Sequence, residues 1–182
     1  MSRRSSEPSM TEAFPGFEPD TERADGPQLQ TIRIFCDGGS RGNPGPAGIG
    51  AVLLDASHEP ATVIGTVSET IGIATNNVAE YQALVSGLEL AESFGAHRVE
   101  VRADSQLLIR QLEGRYRVKN AGLQPLYRRA MTLLKTYAEV DLQHVYREDN
   151  VEADALVNLA LDAERDGLRA ARDAGSVSRP AD

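Results

Sequence analysis

Four acidic residues stand where the chain changes from one predicted element to the next, so their side chains could converge from distant parts of the sequence. They are Asp37, Glu80, Asp104 and Asp154. Carboxylates that are packed together repel one another and raise each other's pKa, and divalent cations remove that cost. Hard oxygen ligands suit Mg²⁺, and Mn²⁺ is a possible substitute. The four residues therefore predict a site for two such ions, which could hydrolyse a phosphodiester.

Each acid taken alone also has a purely structural interpretation. Asp37 precedes two glycines and could shape a turn, and Asp104 could cap the helix that follows it. Glu80 follows Asn77 at the spacing of a capping box, and Asp154 could favour the positive end of its helix. Because all four stand at such junctions, one joint functional role is favoured over four separate structural roles.

The elements that must position these acids are predicted from hydrophobic periodicity. Strands are predicted over residues 31–36, 49–54, 62–71, 98–103 and 140–146. Helices are predicted over 77–94, 105–112, 123–137 and 152–163, the last with a continuation to 171. Residues 38–45, rich in glycine and proline, are predicted to turn the chain. This order predicts an α/β fold with one five-stranded mixed sheet, three antiparallel strands followed by parallel strands, flanked by helices.

Composition bounds the class of protein. The chain has 182 residues, of which 41% are hydrophobic and 25% charged, as in a soluble globular protein. No apolar run is long enough to span a membrane, and Arg3 and Arg4 are not followed by the apolar segment of a secretory signal. Cys36 is the only cysteine, so no internal disulfide forms, and the three histidines lack zinc-ligand spacing. We expect a cytoplasmic monomer that binds no membrane.

Charge and composition divide the chain into three parts. Residues 1–29 are acidic, poor in branched apolar residues, and are predicted to be a disordered N-terminal extension. Residues 30–163 form the predicted folded domain, and residues 164–182 a helical extension with a frayed tail. The net charge of −8 argues against nucleic acid, unless several acids of the folded domain hold metal ions.

Four ordered motifs resemble those of the type 1 ribonuclease H family. They are FCDGGSRGNPGPAG at 35–48, TNNVAEY at 75–81, ADSQ at 103–106 and NVEAD at 150–154. The resemblance covers residues 31–161 and implies a ribonuclease H-like fold. It also implies endonucleolytic hydrolysis of the RNA strand of RNA–DNA hybrids, leaving 5′-phosphate and 3′-hydroxyl ends. Asp37, Glu80, Asp104 and Asp154 match the family's catalytic, metal-binding acids.

The resemblance further implies substrate contacts. The positions that match contacts to the hybrid near the active site are Gly38, Asn43, Asn76, Asn77 and Gln106. Thr75, together with Asn43, matches a pocket that grips a phosphate of the DNA strand. Amide side chains can both donate to and accept from a 2′-hydroxyl, which distinguishes RNA from DNA.

A basic segment offers another candidate contact. Arg115, Arg117 and Lys119 could form a handle for the DNA backbone, or they could lie on a solvated helix face. The sequence also departs from the best-studied bacterial members, which carry a catalytic histidine on a loop before the last acid. Here residues 146–150 lead directly into the fourth motif, as in a shorter subgroup of the family. His144 is interpreted as a packed or solvated strand residue.

Two other functions remain open from the residues. The chain could be a non-catalytic module that binds RNA–DNA hybrids, which would leave four intact acids without a purpose. It could also be another two-metal nuclease on the same fold. Asn76, Asn77 and Gln106 favour a substrate that contains RNA over that second alternative.

Overall fold

The structure, a computed structural model, describes residues 29–176. Nearly all of the predicted N-terminal extension, and residues 177–182 of the predicted tail, lie outside the described residues. The strands are β1 (Thr31–Ser40), β2 (Gly45–Asp55), β3 (Thr62–Ala74), β4 (Arg98–Ala103) and β5 (Glu139–His144). The helices are α1 (Asn76–Glu92), α2 (Gln106–Leu112), α3 (Gln124–Leu134) and α4 (Val151–Ser176), with a single 3₁₀ turn at Arg147–Asp149.

The five strands form one mixed sheet in the order β3-β2-β1-β4-β5. The β1–β2 and β2–β3 pairs are antiparallel, whereas β1–β4 and β4–β5 are parallel. This arrangement confirms the predicted fold class. It also places the carboxyl end of β4 beside the middle of β1, because Ala103, the last residue of β4, pairs with Cys36.

Helices cover the sheet closely because glycine lies at the crossing points. On one face, a Cβ at Gly87 of α1 would stand 3.1 Å from Ile34 Cγ2 of β1. On the other face, a Cβ at Gly50 of β2 would overlap the carbonyl oxygen of Ala153 in α4. The helices therefore rest against the strands at backbone distance, which fixes where their N-terminal residues project.

The first strand is longer than predicted. The chain turns within the predicted residues 38–45, but the predicted bounds are too wide, because β1 continues to Ser40 and β2 already begins at Gly45. The turn occupies only the four residues between them and is closed by a hydrogen bond from Arg41 N to Pro46 O at 2.8 Å. Glycine within β1 serves close packing instead of a turn, since a Cβ at Gly38 would overlap the backbone of Ala79 in α1.

The last helix is also longer than predicted, since α4 is continuous from Val151 to Ser176. It therefore crosses the boundary predicted at residues 163 and 164 without a break. Among the described residues, no helix is both long and apolar enough to cross a membrane.

Candidate active site

Two of the four acids lie side by side at the ends of neighbouring strands. The last residues paired between β1 and β4 are Cys36 and Ala103, so Asp37 and Asp104 follow at the same edge. β1 itself continues through Ser40 because it remains paired with β2, and the prediction that Asp37 ends the strand is therefore wrong. Asp104 does not cap α2, because Ser105 is the capping residue and its Oγ accepts from Leu108 N at 3.3 Å.

The other two acids come from the beginnings of helices. Thr75 caps α1, with Oγ1 accepting from Val78 N at 3.3 Å, so the capping box proposed for Asn77 and Glu80 does not form. Glu80 is the fifth residue of α1 and lies in its second turn, not the first as expected. Asp154 does lie in the first turn of α4. Glu80 thus has no capping role that would explain it.

All four acids line one cavity of about 310 Å³. The other polar residues of its wall include Ser40, Arg41, Asn76, Arg147 and Asn158. Residues from β1, α1, the end of β4 and α4 therefore meet there, although they are distant in sequence. This convergence is what the sheet order and the close helix packing produce.

The negative charge in this cavity is poorly compensated. Burial raises the pKa of Asp37 to about 7, and the nearby carboxylates of Asp104 and Asp154 raise it further. Burial also raises the pKa of Glu80 to about 7, against a lowering hydrogen bond from Ser105. Near neutral pH these two carboxyl groups are therefore only partly ionised unless positive charge enters the cavity.

Polar neighbours hold two of the carboxylates. Arg147 donates to Asp154 Oδ1 at 3.0 Å, and Asn158 donates to Asp154 Oδ2 at 3.1 Å. Asn150 donates to Asp104 Oδ1 at 3.2 Å. Within the described part of the chain, no three acidic, histidine or cysteine side chains already stand at the spacing of a formed metal site. Binding a cation would therefore require the carboxylates to turn toward one another.

The donor set of the cavity fits a hard divalent cation. Its acidic wall offers only carboxylate oxygens, which Mg²⁺ and Mn²⁺ prefer. Cys36 is not available as a zinc ligand, because it is 1% exposed and burial raises the pKa of its thiol, which disfavours the thiolate that zinc binds. His144 does not line the cavity wall; its Nε2 lies 3.2 Å from the backbone oxygen of Asp104. The residues present thus match the ions predicted from the sequence.

The residues predicted to contact substrate divide into two groups. Gly38 and Asn76 line the cavity. Asn43 is joined to it, because its Oδ1 accepts from Asn76 N at 3.2 Å, while Asn76 Oδ1 accepts from Ser40 N at 2.8 Å. Thr75 precedes Asn76 as the helix cap. The turn after β1 and the start of α1 therefore form one hydrogen-bonded unit.

The remaining predicted contacts lie outside the cavity wall. Asn77 and Gln106 are exposed in the first turns of α1 and α2. Arg115, Arg117 and Lys119 belong to the irregular segment between α2 and α3, so they do not lie on a helix face. That segment forms a separate cavity of about 350 Å³, whose wall includes Tyr116, Arg117, Tyr127 and Arg128.

Sequence reasoning missed a buried residue at the centre of the site. Asn150 is 1% exposed and contacts both Asp104 and the backbone oxygen of Cys36. The available signal was its position directly before the last helix, where asparagine commonly caps a helix. Nothing in the sequence indicated that its side chain would turn inward to the strand ends instead.

Comparisons with known proteins agree with this geometry. The family profile described as reverse transcriptase-like matches residues 35–160. The bifunctional protein Rv2228c of Mycobacterium tuberculosis is 43% identical over 146 residues, which are 80% of this chain and 40% of that protein. Ribonuclease HI of Halobacterium salinarum is 43% identical over 131 residues, 72% of this chain and 64% of that protein. This chain therefore spans less than two thirds of the length of either relative.

Solved structures give the same result. The N-terminal RNase H domain of Rv2228c is 44% identical, with a TM-score of 0.69, and the match covers 72% of this chain and 98% of that one. LC11-RNase H1, solved in complex with an RNA/DNA hybrid, is 41% identical with a TM-score of 0.67, covering 73% and 98%. The motifs, the fold and these similarities together show that the chain belongs to the type 1 ribonuclease H family.

Proposed function

We propose that this protein is an endoribonuclease that hydrolyses the RNA strand of RNA–DNA hybrids, leaving 5′-phosphate and 3′-hydroxyl ends. The observation that carries the proposal is the meeting of Asp37, Glu80, Asp104 and Asp154 around one cavity of about 310 Å³. Family membership and the hybrid bound to LC11-RNase H1 support the choice of substrate.

The four carboxylates would hold two Mg²⁺ ions, with Mn²⁺ as a substitute. When bound, such ions activate water and stabilise the leaving oxygen of a phosphodiester. The carboxylates of Asp104, Asp154 and Glu80 all raise the pKa of Asp37, in addition to its burial. Asp37 is therefore the residue whose loss should damage the site most.

The hydrogen-bonded unit of Asn43, Thr75 and Asn76 would position the hybrid beside these acids. Asn76 accepts a hydrogen bond from Ser40 N and lines the cavity, so its amide would be held close to a phosphate that entered the cavity. The exposed amides of Asn77 and Gln106 would contact 2′-hydroxyls in the minor groove. Contacts to the backbone carry no base sequence, so cleavage would be largely independent of sequence.

Proton transfer to the leaving group would not use a histidine of this cavity. Among the residues that line the cavity, Arg147 could supply positive charge to the leaving group, but it stays protonated and donates no proton at neutral pH. His144 is tied to the backbone of Asp104. The proton would therefore come from solvent, which reaches the cavity freely. We also propose that the protein is a cytoplasmic monomer that binds no membrane.

The experiment is a cleavage assay on a set of duplexes with one labelled strand. The proposal predicts that, in Mg²⁺, the protein cuts the RNA strand of an RNA–DNA hybrid at many positions and leaves the DNA strand intact. Duplex DNA of the same sequence serves as the matched control. Cleavage of DNA instead would assign another nuclease on this fold. Hybrid binding without cleavage in Mg²⁺ or Mn²⁺ would assign a binding module.

A further inference from the structure

One buried residue, Asn150, contacts three of the segments that carry the acids, two through its side-chain amide and the third through its backbone. Asn150 Nδ2 donates to the backbone oxygen of Cys36 at 3.0 Å, immediately before Asp37. The same nitrogen donates to Asp104 Oδ1 at 3.2 Å. Asn150 also accepts, through its own backbone oxygen, from Asp154 N at 3.1 Å in the first turn of α4. Asn150 therefore contacts β1, the end of β4 and α4 at once.

The chemistry of the partners fixes the orientation of this amide. A backbone carbonyl oxygen and a carboxylate oxygen can only accept, so the NH₂ group must face both of them. Its two hydrogens are both used, one for each acceptor. Rotating the amide by half a turn would place an oxygen against two oxygens, so the side chain has a single stable orientation.

This arrangement is costly for the folded protein. Asn150 is 1% exposed, and its Oδ1 is buried without a hydrogen-bond partner among the described residues. A buried acceptor that is left unpaired destabilises the folded state. Leucine or another apolar residue would avoid this cost, but it would leave the Cys36 carbonyl oxygen and Asp104 Oδ1 without the donor that Asn150 supplies.

We propose that Asn150 is a positioning residue that sets the distance and angle between the carboxylates of Asp37 and Asp104 for divalent-cation binding and catalysis. The inference rests on the proposed function. In this role Asn150 acts through its hydrogen bonds to Cys36 O and Asp104 Oδ1, and it does not itself touch substrate. Residues that orient metal ligands in this way typically change metal affinity or activity by about 10–100-fold when they are replaced.

The test compares Asn150→Ala with wild type in two measurements. The first is the Mg²⁺ concentration at which half of the cation-induced rise in melting temperature is reached, which needs no activity. The second is kcat and KM for a labelled hybrid. We expect the Mg²⁺ midpoint to rise about 10-fold or more and kcat to fall similarly, with KM for the hybrid within about threefold of wild type.

The matched control is Gln111→Leu, which disturbs another buried amide whose hydrogen-bond partner, the Tyr81 hydroxyl, is not one of the four acids. Gln111 is 5% exposed, and its Oε1 accepts from the Tyr81 hydroxyl at 2.8 Å. This change should lower the melting temperature but leave the Mg²⁺ midpoint and kcat unchanged. If Asn150→Ala behaves like the control, with reduced stability and a wild-type midpoint, the positioning role is wrong.

Two further variants keep the inference testable. If Asn150→Ala does not fold, Asn150→Ser retains a small donor and should still show a raised Mg²⁺ midpoint; a wild-type midpoint would overturn the inference. In the Asp104→Asn background, Asn150→Ala should add little further loss of Mg²⁺ affinity, because both changes disrupt one contact. Additive losses would contradict action through Asp104. A wild type that binds Mg²⁺ but cuts no hybrid would reject the proposed function while leaving the Mg²⁺ comparison of Asn150 valid.

Discussion

Acidic side chains lie at both ends of the β1–β4 strand pair, and their surroundings differ. We call the first group the arginine end; it consists of Arg33, Arg98, Glu100, Arg102, Glu139 and Asp141. We call the second group the cavity end; it consists of Asp37, Glu80, Asp104 and Asp154. Glu100 and Asp104 are only four residues apart along the same strand direction, about 13 Å.

At the arginine end each carboxylate has a guanidinium partner. Glu100 Oε2 accepts from Arg33 Nε at 2.7 Å and from Arg102 Nη2 at 3.2 Å. Arg102 also donates to Asp141 Oδ2 at 2.8 Å. The Glu100 and Arg102 side chains are 12% and 11% exposed, so this network is compensated within the protein.

At the cavity end, by contrast, the carboxylates outnumber their partners. Asp154 has Arg147, whose side chain is 78% exposed, while burial and neighbouring carboxylates raise the pKa of Asp37 to about 7. Carboxylates that are fully paired with guanidinium groups stabilise the fold. Carboxylates whose charge is left uncompensated at the end of a strand can bind a cation. The same residue type on the same strand thus takes two roles, and the arrangement of arginines decides between them.

Removal of divalent cations should have the largest effect. In EDTA we expect hybrid cleavage by the wild-type protein to fall by at least about 10³-fold, because the metals contribute several kcal/mol to the transition state. Added Mg²⁺ should restore the rate. The measurement is the initial rate on a labelled hybrid, with circular dichroism as the control for folding. Full activity in EDTA would contradict the role given to the cavity end.

Replacing an acid by its amide should change stability in opposite directions at the two ends. In EDTA at pH 8, Asp37→Asn should raise the melting temperature by at least about 2 °C, because it removes a repelled, half-buried carboxylate. Glu100→Gln should lower the melting temperature by about 4 °C or more, because Arg33 and Arg102 each lose the buried carboxylate that they share, although Arg102 keeps Asp141. If both variants change the melting temperature in the same direction, the proposed difference between the arginine end and the cavity end is wrong.

The difference in stability between Asp37→Asn and wild type should also depend on pH. The folded-state pKa of Asp37 is raised to about 7, so between about pH 4 and 7 the folded protein binds more protons than the unfolded chain. Wild-type stability therefore falls across this range as pH rises, and the advantage of Asp37→Asn should grow until about pH 7. Thermal unfolding in EDTA from pH 4.5 to 8 measures this; an advantage that shrinks with rising pH would contradict it.

The positive charges allow a smaller test. Arginines of the arginine end are paired with acids, whereas no acidic partner of Arg117 or Lys119 lies within 4.0 Å in the described part of the chain. The variant with Arg115, Arg117 and Lys119 changed to Ala should reduce the salt dependence of hybrid affinity by about two counterions. Lys135→Ala, an exposed change at the end of α3, is the control. An unchanged salt slope would reject the handle.

Arg147→Ala should have the smallest effect. The guanidinium is 78% exposed, so solvent screens its ion pair with Asp154 and the pair should contribute little to the stability of the fold. We expect kcat within about threefold of wild type, because Arg147 competes with cations for Asp154 as much as it supplies charge. A loss of more than about 100-fold would show instead that Arg147 assists the leaving group.

The sequence was sufficient to predict the mixed sheet and the four acids of the cavity. Alternation in β1 and β4, and the helical spacing of α1, predicted the order and pairing of elements that the structure has. The four motifs identified the acids that line the cavity. Local propensity failed where glycine had a tertiary purpose, since Gly38 allows α1 to approach β1 and does not form a turn.

Other features depended on contacts that no local pattern contains. The hydrogen bonds of Asn150 join residues separated by 114 and 46 positions. The arginine end likewise joins Arg33 to Glu100, which are neighbours only because β1 and β4 are paired in register. Capping by Thr75 instead of Asn77 starts α1 two residues earlier, so Glu80 lies in the second turn, a difference that helix periodicity alone does not resolve.

The most direct measurement compares Asp37→Asn and Glu100→Gln with wild type in cleavage of a labelled RNA–DNA hybrid in Mg²⁺. Both variants remove one negative charge from the same face of the sheet, and all three proteins are assayed well below their melting temperatures. The account predicts that Asp37→Asn binds the hybrid but loses at least about 10³-fold in rate, while Glu100→Gln stays within about threefold. Full activity of Asp37→Asn, or equal losses in both variants, would contradict it.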